Sequence, residues 1–265
     1  MYQYGVGKGT EAAFHTAQAW LEEDAAGLRG VLLLDFRNAF NSASRATILD
    51  AAYADPRLKP LWGVLHTTLG TPSEVICFGR DGKPFFRCLS QQGVRQGSVL
   101  GPLLFSLLLN ASLKRLEEKF GGSVTYLDDC TIRVTQQGLG SAGGLDPFIA
   151  QVMHCFAGTC LTLNEKKTVF LSRPGFNMAT APKLCVVKQD CTRLLGGPLH
   201  WMTDAGRAAA GSFVRDRFAS MGAFFDLAAQ LSSPLLQVAV ARLCLEPKAA
   251  FLLRVTPAEL SRVPA

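Results

Sequence analysis

The chain has 265 residues, 48% of them hydrophobic, enough to bury a sizeable core as one large domain or two small ones. A net charge of +6 and a pI near 9.0 tilt the expected partner toward a polyanion. Mean hydropathy is +0.18, but the most apolar stretch, 99–113, is interrupted by Gly101, Pro102, Ser106, Asn110 and Ser112, and the opening residues lack a signal-peptide core, so no membrane or secretory route is expected.

A glycine-rich link over 5–9 leads to Thr10, a good N-cap, and a helix over 11–23 with Phe14, Ala17 and Leu21 at helical spacing. The segment Gly5-Val6-Gly7-Lys8-Gly9-Thr10 imitates a phosphate loop. Gly9 stands where lysine and Ser/Thr must be contiguous, so a nucleotide hydrolase is rejected. Gly30 opens Val31-Leu32-Leu33-Leu34-Asp35, an apolar run that fits a buried strand. Helices are expected over 43–53 and 59–69. Strands over 75–78 and 84–89 flank Asp81-Gly82, a strong hairpin signal. Gly101-Pro102 begins an apolar helix that runs to Phe120.

Two strands, 124–127 and 131–135, bracket Asp128-Asp129. A Gly/Ser loop over 136–144 and a helix over 147–160 follow, then short strands over 184–187 and 191–195 before Gly196-Gly197-Pro198. From Thr203 the sequence turns Ala-rich and helical, with a break at Ser232-Ser233-Pro234, and a domain boundary is expected near 201–204. The class is α+β: a mainly antiparallel sheet backed by helices, with an all-helical C-terminal part. The eight cysteines form no C-x-x-C pair, and His154, Cys155 and Cys160 make no standard zinc set, so reduced, buried thiols are expected.

Three carboxylates carry the chemistry. Asp35 ends a strand so apolar that its charge must be solvated, paired or bound to a cation. Taken alone it could be a helix cap or turn residue. Asp128 and Asp129 repel one another, and a turn holding them side by side is stabilised by cations between them. Nucleotide addition is an in-line displacement at phosphorus, for which two Mg²⁺ ions held by carboxylate oxygens stabilise the attacking and leaving oxygens.

The surrounding residues carry a resemblance. Leu34-Asp35-Phe36-Arg37-Asn38-Ala39-Phe40 resembles motif A of reverse transcriptases, D-x-x-x-A-F. The run Gln92-Gly93-Val94-Arg95-Gln96-Gly97-Ser98-Val99-Leu100-Gly101-Pro102-Leu103-Leu104-Phe105 resembles motif B of their non-LTR retrotransposon class, and Tyr126-Leu127-Asp128-Asp129 resembles motif C, Y-x-D-D. Leu161 to Thr168 is similar to motif D, with Cys160 in place of the usual glycine, and Leu194-Leu195-Gly196-Gly197-Pro198 is similar to motif E, the primer grip. The wording of motifs A and B further resembles the site-specific elements found in trypanosomatid spliced-leader genes.

That resemblance implies an RNA-directed DNA polymerase with a right-hand palm, taking an RNA template, a DNA primer and dNTPs. It implies a fingers remnant over 1–30, a palm over 31–202 and a helical thumb-like region over 203–265. Asp35, Asp128 and Asp129 would hold two Mg²⁺ ions, or Mn²⁺, with a backbone carbonyl lent by Phe36. Phe40 would be the steric gate against a 2′-hydroxyl, and otherwise a core aromatic. Gln96 and Gly97 would line the nucleotide pocket, while Arg95 could contact phosphate or template or be a surface charge. Lys167 would approach the leaving pyrophosphate as a general acid, and otherwise belong to a solvated lysine pair.

The resemblance also places the family's fingers strands before this segment, and implies an intracellular, nuclear setting. Two rival expectations stand beside it: a catalytically incomplete remnant that only binds nucleic acid, and an RNA-dependent RNA polymerase, against which Phe40 argues. Oligomeric state is not legible in the sequence.

Overall fold

In the computed structural model the described residues are 7–24, 26–95, 97–257 and 260. Helix α1 (Gly9–Glu22) leads into strand β1 (Arg29–Leu34), the short helix α2 (Ala39–Ser42) and α3 (Arg45–Tyr53). A 3-10 turn, Pro56–Leu61, precedes α4 (Trp62–Leu69). The hairpin β2 (Ser73–Phe78) and β3 (Pro84–Ser90) then leads to the long helix α5 (Gly101–Phe120). Next come β4 (Ser123–Tyr126), β5 (Asp129–Thr135), α6 (Gln136–Ala142), α7 (Leu145–His154), β6 (Val169–Ser172) and β7 (Val186–Lys188). A second hairpin, β8 (Cys191–Leu194) and β9 (Gly197–His200), is followed by α8 (Asp204–Ala229), α9 (Pro234–Val240), a π-helical turn and α10 (Glu246–Val255).

The central sheet has the order β4-β5-β1-β6-β7, antiparallel except for β7, which runs parallel to β6 at the edge. Side chains alternate across a strand, and the burial follows that alternation. Leu32, Leu34, Cys130, Ile132 and Val134 face the larger core, built with Phe105, Leu108 and Leu109 of α5 and Ile149 and Val152 of α7. Val31 and Leu33 face the other way, against Phe14, Ala17 and Leu21 of α1 and Leu199 of β9. One sheet face is therefore covered by α5 and α7, the other by α1 and the β8–β9 hairpin. The fold is α+β, with helices backing a mainly antiparallel sheet.

Several local readings need correction. The 136–144 stretch is not a loop: Thr135 caps α6 by accepting the Gly138 N–H at 3.1 Å, and Leu139 is buried beneath it. The 147–160 helix starts at Leu145 and stops at His154, since turns carry the chain from Cys155 to Gly158, which has φ +85°. Thr10 is not the first cap, because α1 starts one residue earlier behind Lys8. Strand β6, unread in the sequence, hides behind the polar run Asn164 to Thr168. All eight cysteines are unpaired, and no described helix is long and apolar enough to cross a membrane.

The α5–sheet interface is the structural floor of everything above it. Phe105 is fully buried and stacks on Phe40 with ring centroids 4.5 Å apart. Phe105→Ala is expected to cost about 3–5 kcal/mol, cavity included. Denaturant unfolding monitored by circular dichroism measures it, and a loss under 1 kcal/mol would contradict this packing.

Candidate active site

Asp35 follows directly on β1. The register pairs Leu34 with Cys130, so Asp35 comes opposite Asp129, the first residue of β5. By alternation both carboxylates share the face that carries Val31 and Leu33. Asp128 sits one residue earlier, in the two-residue turn that joins Tyr126 to Asp129. That turn puts Leu127 at φ +54°, a left-handed conformation that a branched side chain resists and that tends to be kept at functional turns.

A cleft of about 120 Å³ is lined by Asp35, Asp129, Lys167 and Arg193, with Leu33, Cys130, Val169 and Leu194 among its apolar walls. Asp129 counts as an exposed residue, yet its carboxyl is pushed up to about 6. Lost hydration is the main cause, followed by repulsion from Asp128 and then Asp35, while Arg193 opposes the shift. Burial and two neighbouring acids thus outweigh the one guanidinium that faces them. Their hard oxygen donors suit Mg²⁺. Among the described residues, however, no three Asp, Glu, His or Cys side chains form a closed metal cluster by themselves.

The segment 162–164 zips onto the end of β1. Arg37 N–H donates to the Thr162 carbonyl at 2.9 Å and Asn164 N–H to the Asp35 carbonyl at 2.8 Å, bracketing a Phe36–Leu163 bridge. The Asp35 N–H also donates to Thr168 Oγ1 at 3.2 Å. Phe36 carries its ring into the core against Phe156, and its own carbonyl takes no part in those flanking bonds. Cys160 takes the left-handed conformation, φ +62°, that a glycine would take at this corner, at a cost of order 1 kcal/mol. The substitution strains the motif D turn but does not redirect it.

The Gly93 loop is bound to α2 through two short main-chain bonds, Val94 N–H to the Phe40 carbonyl at 2.7 Å and Gly93 N–H to the Ala43 carbonyl at 2.8 Å. A Cβ at Gly93, φ +78°, would run into the Asn41 backbone, so only glycine allows this approach. Phe40, half-buried, is therefore held by its ring on Phe105 and by its carbonyl on this loop. Gly97 has φ +82° with open space around it, while Gln96 lies outside the described residues.

Two arginines had no role in the sequence reading. Arg45 is buried: its Nε donates to the Gly93 carbonyl, and its terminal nitrogens donate to the carbonyl and hydroxyl of Ser90 at 2.7 Å each. It ties α3 to both the β2–β3 hairpin and the Gly93 loop. Only its proximity to Ala43 and Ser44 hinted at this, since a helix-start arginine reads as solvent-facing. Arg193 alternates outward from β8, whose pattern is buried at Thr192 and Leu194, and so comes over Asp129. Arg95 donates to Ser73 Oγ at 3.0 Å, which makes it a second tie to the hairpin.

Fold and site together define a polymerase palm, and comparison with known proteins gives the family. Residues 2–199 match the family reverse transcriptase (RNA-dependent DNA polymerase), and the chain belongs to it. It is 43% identical over 132 residues, 49% of its length, to the retrotransposable element SLACS 132 kDa protein of Trypanosoma brucei gambiense. It is 30% identical over 138 residues, 46% of its length, to a retrovirus-related Pol polyprotein from a type-1 retrotransposable element of Nasonia vitripennis. The matches span only 11% and 13% of those relatives. The domain is a reverse transcriptase domain of the non-LTR retrotransposon kind. Its fold is similar to telomerase from Candida albicans, solved in complex with a fragment of telomeric RNA, at a TM-score of 0.51 and 8% identity over 94% of this chain and 43% of that one.

The raised Asp129 carboxyl has a consequence for stability without metal. A folded-state value near 6, above the ordinary carboxylate value, means that the fold favours the protonated acid. That contribution is complete below about pH 4 and is lost as pH rises toward 6. Asp129→Asn is therefore expected to melt higher than wild type at pH 8 in chelator, and level with it at pH 4. Equal differences at both pH values would overturn the assignment.

Proposed function

We propose that the chain is the palm of an RNA-directed DNA polymerase that adds dNTPs to a DNA primer on an RNA template. The observation that carries it is the register that brings Asp35 opposite Asp129, with Asp128 in the adjoining turn. Asp35 and Asp128, supported by Asp129 and the Phe36 carbonyl, would hold two Mg²⁺ ions, with Mn²⁺ an acceptable substitute. When bound, such a pair stabilises the entering and leaving oxygens of an in-line phosphoryl transfer.

The chain's own groups do the rest. Phe40, with its ring stacked on Phe105 and its carbonyl held by the Gly93 loop, presents a rigid ring edge where a 2′-hydroxyl would have to fit, and so selects deoxynucleotides. Gly97, with Gln96 beside it, leaves room for the base and its template partner. Lys167 lines the same cleft as Asp35 and Asp129 and is a proton donor for the departing pyrophosphate. Beside it a groove of about 480 Å³, with Arg193, Arg217 and Lys248 on its walls and no carboxylate, suits a primer–template backbone. In this reading 1–30 belongs to the fingers, 31–202 is palm and 203–265 is thumb-like. The likeness to retrotransposon proteins favours an intracellular, nuclear setting.

A second reading, binding without turnover, is favoured by one observation: the described acids do not close a metal cluster by themselves. Primer extension on an RNA template separates the two. Asp128→Asn is expected to lower incorporation at least a hundredfold while nucleic-acid binding persists, and equal incorporation by the two proteins would leave only binding. Phe40→Ala is expected to admit ribonucleotides, narrowing the dNTP-to-NTP preference at least tenfold. An unchanged preference would return Phe40 to the core.

A further inference from the structure

At the end of β5 remote from the carboxylates, a pocket of about 500 Å³ opens between Trp20, the end of α5 and helices α6 and α7. That volume is within the range of small-ligand sites. Lys119 and Arg133 lie on its wall, and no carboxylate does. Neither cation has an ion pair among the described residues, in contrast to Arg29 nearby, which Glu23 neutralises at 2.9 Å.

Arg133 is held in place without being satisfied. Its guanidinium lies 5.2 Å from the centre of the Trp20 ring, which is itself fixed by an Nε1 hydrogen bond to the Gly30 carbonyl at 3.1 Å. Gly122 runs beneath it: a Cβ there would sit 3.1 Å from Arg133 Cδ. Yet Arg133 Nε is buried with no hydrogen-bond partner. That nitrogen is packed against Gly122, so an anion in the pocket would meet the outer edge of the guanidinium and supply the counter-charge that no carboxylate on the pocket wall gives it.

We infer that this pocket binds a nucleoside phosphate. Arg133 and Lys119 take the phosphate. The Phe120 and Phe148 rings, packed edge to face at 5.0 Å, form an apolar wall for the base. Gln137 and Gln151 offer amide donors and acceptors to its edge. An acidic peptide would use the two cations but leave the aromatic wall and the amides unused. The nucleoside phosphate can be a free mononucleotide or one unit of a strand. Four residues of strand separate Arg133 from Asp129, about 13 Å, so the site is distinct from the cleft.

The test uses the full chain in chelator, with the emission of Trp20 isolated as the difference between wild type and Trp20→Phe. Titrants are adenosine monophosphate, a six-nucleotide single-stranded RNA and a hexaglutamate peptide. A saturable change is expected with at least one nucleotide probe: response to the mononucleotide identifies a free ligand, and response to the RNA alone identifies a strand. Arg133→Gln is expected to weaken binding at least tenfold with the melting midpoint kept. If that variant does not fold, Lys119→Gln, on an exposed position, is expected to weaken it at least threefold. No saturable response to either nucleotide, a response to hexaglutamate only, or wild-type affinity in both variants would overturn the inference. Each of those outcomes leaves the polymerase reading untouched, since no carboxylate of the cleft takes part.

Discussion

The antiparallel register of β1 against β5 places Leu34 opposite Cys130, and the chemistry of the cleft follows from that pairing. A slip of one residue would turn Asp35 or Asp129 to the far face of the sheet and bring Leu32 or Ile132 out of the core. Both of those side chains are fully buried, so the slip would forfeit several kcal/mol of apolar burial. The larger core thus fixes the position of charges that are themselves unfavourable. Apolar burial holds together acids that, without a cation, repel.

Strain collects around the same residues. Leu127 and Cys160 both occupy left-handed backbone, and Arg45 gives up its solvent to hold Gly93 and Ser90. Each of these costs free energy, and each fixes a segment next to a motif residue: the turn that carries Asp128, the corner before the 162–164 segment and the loop that hydrogen-bonds Phe40. Among the described residues Arg45 pairs with no carboxylate, yet it sets the position of the loop that holds the proposed gate. Its hydrogen bonds go to main-chain oxygens as well as a hydroxyl, so a lysine could not reproduce them.

What could be read in the sequence divides along physical lines. The strand before Asp35 and the helix from Gly101 to Phe120 were plain, because each is a long apolar run with a sharp boundary. The hairpin at Asp81-Gly82 was plain from its turn chemistry. Helix α6 was missed because its glycines and serine argue for a loop, and only the Thr135 cap and the burial of Leu139 make it a helix. Strand β6 is four residues long, and β7 depends on pairing with it. Arg45 and Arg193 were illegible because a charge on a helix or strand reads as solvent-facing until the partner element is placed. The three aspartates stand out through motif context, while the sheet face that Asp35 and Asp129 share is a matter of register, which no single strand encodes.

Strand β5 presents Asp129 and Arg133 on one face with only Thr131 between them, so a single element carries opposite charge at its two ends. Thr131 is buried beneath the elements that cover this face, so a polyanion can meet the two ends only separately, repelled at one and attracted at the other. Divalent ions reverse the sign at the aspartate end and leave the arginine end as it is. Magnesium concentration would then set whether one end of the strand or both ends draw a polyanion, with no moving part.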